Sequence, residues 1–372
     1  MKPKVVLVTG AGFTAKAGVP VQSGILSKIV EFRPTTSTKD RRSFDAALAA
    51  LTKFLNRVFL QRGESLEINH DDYSKLQSLA LEDLYTILDK GIARREWFPF
   101  HDWGNLIQVR ESLDLCVALY MTAVQNTYGG HDYDDLAGSL MELCGNDWAT
   151  ITLNWDTIWD KSLSRVLVPA GIEIDYAGPI TRLNEAHEIA NVNPGTRSVK
   201  LVKLHGSFNW AVCPRCRSLF VSGQDIGYLT LTDLVVCPLC APDPEAPQGP
   251  GLQPLFLTPT IIKTFDNPIL NLMWDNAIHV LADATHVVFV GYSFPLADHD
   301  LRYLLRKALP SRVHIAVVLS GHDDPSGVPL HVRGKLPHSS FKAFFGLEDS
   351  AFYFTGWERF FRESFNTWLQ AD

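Results

Sequence analysis

The chain has 372 residues, 46% hydrophobic and 20% charged, which is enough for one large domain with insertions or for two domains. Its net charge of −7, from 34 basic and 41 acidic residues, argues against a dedicated nucleic-acid binder, which carries a basic excess. No run of about 18 apolar residues occurs, so no membrane-spanning helix is expected.

The first apolar run, residues 5–8, reads as a buried strand. It is too short for the apolar region of a secretion signal and no small-residue cleavage site follows it, so a cytoplasmic location is expected. Directly after it stand Gly10, Ala11, Gly12, Phe13 and Thr14, then Gly18, Val19 and Pro20. Glycines at a strand-to-helix turn let backbone approach a pyrophosphate, and the helix that follows directs N–H groups at it. A tight turn without a ligand has the same composition.

Residues 40–144 carry apolar side chains at helical spacing, as in Leu48, Leu51, Phe54, Leu55 and Val58, and read as an inserted helical module. Cys116 and Cys144 fall in this apolar sequence and are expected to be buried small hydrophobes. A second strand, 149–153, ends at Asn154, Trp155 and Asp156. Ligands of open α/β sheets sit at such carboxyl ends. Asn154 suits a sugar hydroxyl or a water there, and Asp156 a ribose or a positive charge, although both residue types also cap helices. A third strand, 199–204, ends at His205, a residue type that serves as general base near neutral pH or simply bonds to backbone.

Cys213 and Cys216, then Cys237 and Cys240, form two C-x-x-C pairs at zinc-ribbon spacing. Four thiolates leave no open coordination position, so the metal is expected to be structural. A redox pair is the competing reading, and it needs only one such motif. Strand 286–290 leads into Gly291, Tyr292, Ser293, Phe294 and Pro295, with Asp298 and Asp300 beyond, and strand 313–319 ends at Ser320. Residues 352–361 read as a short strand and then a helix, aromatic enough to be packed down.

The expected fold is therefore α/β, a Rossmann-like doubly wound parallel sheet with an inserted helical module and a small zinc-ribbon module. The core comprises 1–39, 145–210 and 252–330, the helical insertion 40–144, the ribbon 211–251, and a packed C-terminal segment 331–372.

The ordered set of motifs resembles the sirtuin family. The glycine loop with Gly18, Val19 and Pro20, the Asn-x-Asp strand end, the His-Gly pair and the ribbon after it, and Gly291-Tyr292-Ser293 all match in order. The resemblance implies NAD bound between a Rossmann-type domain and a smaller domain, with cleavage of the nicotinamide–ribose bond. It implies Asn154, His205 and Asp156 as catalytic residues. Gly10, Ala11, Gly12, Phe13, Thr14, Val19, Gly291, Tyr292, Ser293 and Ser320 would bind the dinucleotide, and Cys213, Cys216, Cys237 and Cys240 would bind structural zinc. Where protein deacylases carry Asp-Phe-Arg, this chain has Val21, Gln22 and Ser23, and it has Leu153 where they carry Gln. Their peptide-binding Phe-Gly-Glu segment is replaced by 257–263, Leu-Thr-Pro-Thr-Ile-Ile-Lys. These departures look like prokaryotic antiphage-defence sirtuin-like proteins that hydrolyse NAD. Such an enzyme is expected to be held inactive until triggered, as a homo-oligomer or with a partner such as a HerA-type ATPase. The alternatives are an NAD-dependent lysine deacylase and a non-catalytic NAD or nucleotide sensor that gates a partner.

Overall fold

The computed structural model describes residues 4–21, 24–34, 38–60, 75–98, 103–190, 197–223, 226–242, 248–257, 267–296, 298–326, 328, 334 and 336–371. Gln22, Ser23 and residues 258–263 of the sequence comparison fall outside them.

Strand β1 (Val5–Thr9) is followed by a four-residue helix α1 (Ala11–Thr14) and by α2 (Ile25–Glu31). Three long helices come next: α3 (Thr38–Val58), α4 (Leu81–Arg94) and α5 (Trp103–Thr127). Helices α3 and α4 both pack on α5. Helix α6 (Asp132–Cys144) leads back to β2 (Trp148–Thr152), then α7 (Ile158–Leu167), β3 (Glu173–Asp175), β4 (Ile180–Leu183), β5 (Ser198–Lys203), β6 (Gly206–Val212) and β7 (Leu219–Ser222). Helix α8 (Ile226–Thr232), β8 (Gln253–Phe256), α9 (Pro268–Ala282), β9 (His286–Val290), α10 (His299–Ala308) and β10 (His314–Val318) follow. The chain closes through α11 (Pro337–Phe345), β11 (Phe352–Tyr353) and a last helix α12 spanning 357–369, with a π-turn inside it.

Seven strands form one parallel sheet in the order β11-β10-β9-β1-β2-β5-β3. The Val- and Ile-rich runs at 5–8, 149–153, 199–204, 286–290 and 313–319 are its five central strands. Every residue of β1, β2 and β9 is buried because helices cover both faces, whereas β5 carries exposed Ser198 and Lys200 and β10 opens on exposed His314. Helix α6 packs on α7, and α9 on α10. Right-handed crossovers to opposite sides of β1 place these pairs on opposite faces, the doubly wound arrangement. From β1 the chain moves towards β2, then returns to β9 and moves away on the other side. The order therefore reverses between β1 and β9, where such sheets open their binding crevice.

The smaller sheet, β4-β7-β6-β8, carries the cysteine pairs. It reaches beyond 211–251, drawing β4 from 180–183, most of β6 from before 211, and β8 from 253–256. Two-residue alternation lets it serve two cores. Phe208, Trp210, Val212, Leu219 and Val221 face the main core. Ala211, Cys213 and Phe220 face a small separate core with Leu183, Ile226 and Leu252. Cys116 and Cys144 are buried, as expected, and burial pushes the Cys116 thiol up to about 12 and the Cys144 thiol up to about 11.

Candidate active site and four-cysteine centre

The motif residues Gly10, Asn154, His205, Gly291 and Ser320 all follow the carboxyl ends of parallel strands, and so stand along one edge of the sheet. At the switch point, the glycine loop and Gly291 touch backbone to backbone. Gly12 N donates to Gly291 O (2.8 Å) and Gly10 N to Val290 O (3.1 Å). A Cβ on Gly291 would lie 2.1 Å from Phe13 N, and its φ of +59° lies in the left-handed region, so only glycine fits. The expectation of a helix start with free amides is met only in part. Helix α1 is one turn long, and Phe13 N already donates to Gly10 O (2.9 Å).

Several expected dinucleotide residues turn their side chains into the protein. The Phe13 ring is buried edge-on against Tyr133 and Trp159 and beside Trp357. Val19 is buried as well. Tyr292 is buried, and its hydroxyl donates to Asp298 (2.6 Å). That pairing and burial raise the phenol far above its ordinary range, burial being the larger cause. Ser320 is spent on a capping box, its hydroxyl donating to Asp323 (2.7 Å). Ser293 is exposed.

Asn154 is half-buried. Its Nδ2 donates to Gly10 O (3.0 Å) and Thr14 Oγ1 (3.2 Å), tying the β2 loop to the glycine loop. Among the described residues none donates to its Oδ1. Asp156 faces inward: Oδ2 accepts from Thr14 Oγ1 (2.9 Å) and Oδ1 from Ile158 N (3.2 Å), the first residue of α7. Burial pushes its carboxyl up, and the Lys203 ammonium draws it back down. Asp156 therefore holds Thr14 and the loop, and both its oxygens are occupied.

His205 Nδ1 lies 3.2 Å from Leu153 O. A carbonyl only accepts, so Nδ1 carries the proton in this contact. The ring packs beside Trp274 of α9, whose indole N–H donates to Leu204 O (3.1 Å). Trp274 carries no motif signal, because its place beside His205 arises only when α9 folds back over β5. Lys203 is fully buried, with Nζ donating to Asp156 O (2.8 Å) and Asp160 Oδ2 (2.8 Å). Its one sequence signal is a charge inside an otherwise apolar strand.

Clefts of about 410 Å³ beside β3, lined by Asp175, Tyr176 and Arg182, and of about 550 Å³ at the sheet's amino end, lined by His314, Tyr353 and Trp368, include none of the expected residues.

The four ribbon cysteines converge. Thiolates about 2.3 Å from a tetrahedral zinc lie about 3.8 Å from one another. Cys213 Sγ is 3.8 Å from Cys240 Sγ, Cys216 Sγ is 3.8 Å from Cys237 Sγ, and all four lie within 4.8 Å of one another. All four sulfurs converge on one point, which fits a metal, whereas a redox motif needs only one pair. Cys216 N donates to Cys213 Sγ (3.5 Å), and Arg215 bridges the two knuckles through Ala241 O (2.8 Å). Nothing in the coordination set is open to substrate.

No family model matches the chain, and no curated protein matches it. Solved structures do. One described as "The Structural basis of Sirtuin Substrate Affinity" shares 16% identity over 98% of this chain and 93% of that one, with a TM-score of 0.39. "Structure of Sir2Tm bound to a propionylated peptide" shares 15% over 96% and 90%, at 0.37. "Crystal structure of a Sir2 homolog-NAD complex" shares 16% over 91% and 90%, at 0.35. Likeness at this level assigns neither a ligand nor a reaction to this chain.

Proposed function

We propose that the protein is a sirtuin-like enzyme that consumes NAD, hydrolysing it to ADP-ribose and nicotinamide, and that it does so in antiphage defence. The observation that carries the reading is the grouping at one sheet edge. Asn154 is bonded to the glycine loop, and the next residue back, Leu153, is bonded to His205. A nucleoside substrate laid across that edge meets the Asn154 amide and the His205 imidazole from adjacent strands.

In the proposed reaction the bond between nicotinamide and ribose breaks, nicotinamide leaves with the bonding electron pair, and water adds to the ribose carbon. Asn154 Oδ1 accepts from the water or from a ribose hydroxyl and so fixes its direction. His205 Nε2 takes the proton that the water gives up, and its Nδ1–H stays on Leu153 O throughout. Asp156 acts through Thr14 and the loop. The cysteine centre holds zinc as scaffold.

Hydrolysis is favoured over deacylation by the sequence at 257–263, which lacks the family's peptide-binding segment. The retained cysteine centre favours the deacylase as second reading. We further propose a homo-oligomer or a partner such as a HerA-type ATPase as the restraint on activity. Purified protein incubated with NAD, with and without an acetylated peptide, separates these readings. Release of nicotinamide and ADP-ribose without peptide is expected. Peptide-dependent turnover yielding O-acetyl-ADP-ribose would replace the hydrolase reading by the deacylase. Unaltered biological output in an Asn154→Ala, His205→Ala variant would point to the sensor.

A further inference from the structure

A buried polar chain runs behind the site. Tyr176 Oη donates to Asp160 Oδ1 (2.8 Å), and Lys203 Nζ to Asp160 Oδ2 and to Asp156 O, both at 2.8 Å. Asp156 Oδ2 accepts from Thr14, which in turn accepts from Asn154. The chain thus links β3, α7, β5, the β2 loop and α1.

The β2 loop is tied to the glycine loop through Asn154 and Asp156, and its carbonyls are held from the other side. His205 holds the carbonyl of Leu153, Ser207 Oγ (3.1 Å) and Phe208 N (2.9 Å) hold that of Trp155, and Lys203 holds that of Asp156. Each of these donors comes from the β5–β6 segment. Lys203 is the charged member, and side chains of Lys203 and Asp160 are 1% and 6% exposed. A buried pair of this kind is weak evidence for stability, since apolar replacements are often neutral or better. Its distinguishing contact is the second bond of Lys203, to the loop that carries Asn154.

We propose that Lys203 is a positioning residue for the NAD-cleaving site, clamping the Asn154–Asp156 loop to the strand that presents His205. This rests on the function proposed above. Lys203 touches no substrate; it sets where the Asn154 amide stands relative to the imidazole two residues along its own strand.

Lys203→Met alone strands the Asp160 carboxylate in the interior and is expected to unfold the protein in part. The informative variant is Lys203→Met/Asp160→Asn, which removes both charges and keeps an acceptor for Tyr176. We expect it to fold, keep its metal and bind ADP-ribose within about threefold of the parent. Its kcat for nicotinamide release should fall about 10²-fold, the scale of a misplaced catalytic group. Amide exchange at 153–158 should accelerate while that of β1 and β9 stays as in the parent. Lys203→Gln, which keeps a donor for Asp156 O, should fall between the two in both readouts. A folded double variant with parental kcat overturns the proposal. So does lost turnover with loop exchange unchanged, because the clamp is then not what failed. If the parent itself releases no nicotinamide, the hydrolase reading falls, and the exchange measurement decides the clamp on its own.

Discussion

The seven-stranded sheet and the cysteine module meet along β6 and β7, yet they are held together by different physics. The sheet is buried between helices, with side chains of β1, β2 and β9 at the centre of one continuous core. The module's own core is little more than Leu183, Ala211, Phe220, Ile226, Val235 and Leu252 beside two of its cysteines. Apolar burial of that size does not offset the ordering of the chain around it. The difference teaches that a metal held by the four cysteines would serve as the module's core, whereas the sheet needs none.

Removing the metal should break the comparison most. Structural zinc contributes on the order of 10 kcal/mol to the folding of small cysteine domains. Chelation, or Cys237→Ser, is therefore expected to melt 213–240 while the β1, β2 and β9 amides keep their protection in hydrogen exchange. Simultaneous loss of protection in the central strands would show that the two regions share one stability.

The converse test acts on the sheet edge. His205→Ala should lower nicotinamide release by about 10²–10⁴-fold, the usual contribution of a general base. The bound metal, measured by elemental analysis, should stay at the parental ratio. Turnover within threefold of the parent would remove His205 from the chemistry.

How far sequence alone reaches differs between the two regions for the same reason. The five central strands were legible because strands covered on both faces are uniformly Val- and Ile-rich. Of the edge strands, β3 was not, being three residues with two carboxylates, whereas the short strand and helix read at 352–361 are β11 and the start of α12. Strand β6, Gly206–Val212, is no apolar run, since it alternates Ser207, Asn209 and Ala211 with Phe208, Trp210 and Val212, although every residue is buried. The cysteine centre was legible from spacing, since ligand geometry fixes it. That Asn154 and His205 stand at one edge of the sheet was legible because they end apolar runs. The inward turn of Phe13, Val19 and Tyr292 was not, because a motif records which residue is present and not which way it faces. Lys203 was invisible as a clamp because its partner Asp160 lies on another element, 43 residues away.

A smaller effect is expected at the switch point. Gly291→Ala places a Cβ against Phe13 N at a φ of +59°, whereas Gly346, at +72°, has nothing within 4 Å of its added Cβ. Left-handed strain alone costs about 1–3 kcal/mol. Gly346→Ala should show that cost and no more. Gly291→Ala should exceed it in thermal unfolding, because the glycine loop must move as well. Equal shifts for the two would mean that the contact between Gly12 and Gly291 is not tight in solution.

A pH-dependent effect lies at the opposite, amino end of the sheet and has nothing to do with the metal. His286 is buried, its ring stacked on His314 (4.9 Å between centroids) and edge-on to Trp368 (5.0 Å). Its Nε2 has no partner among the described residues. Burial, and then the neighbouring His314, push its pKa down from 6.5 to about 4. The sign follows from proton counting. Above pH 6.5 His286 is neutral whether the chain is folded or not, and it contributes no pH dependence. Between 6.5 and about 4 the unfolded chain binds a proton that the folded one refuses, so stability falls as pH falls, and the loss levels off below about 4. His286→Phe keeps an aromatic ring for the stack and cannot titrate. Denaturant unfolding of parent and variant should therefore give a stability difference that is constant above pH 6.5 and moves steadily in the variant's favour down to about 4. Loss of the thiolate metal at low pH is common to both proteins and cancels in that difference. A difference that stays flat across the whole range would mean that His286 is solvated enough to take its proton in the folded sheet.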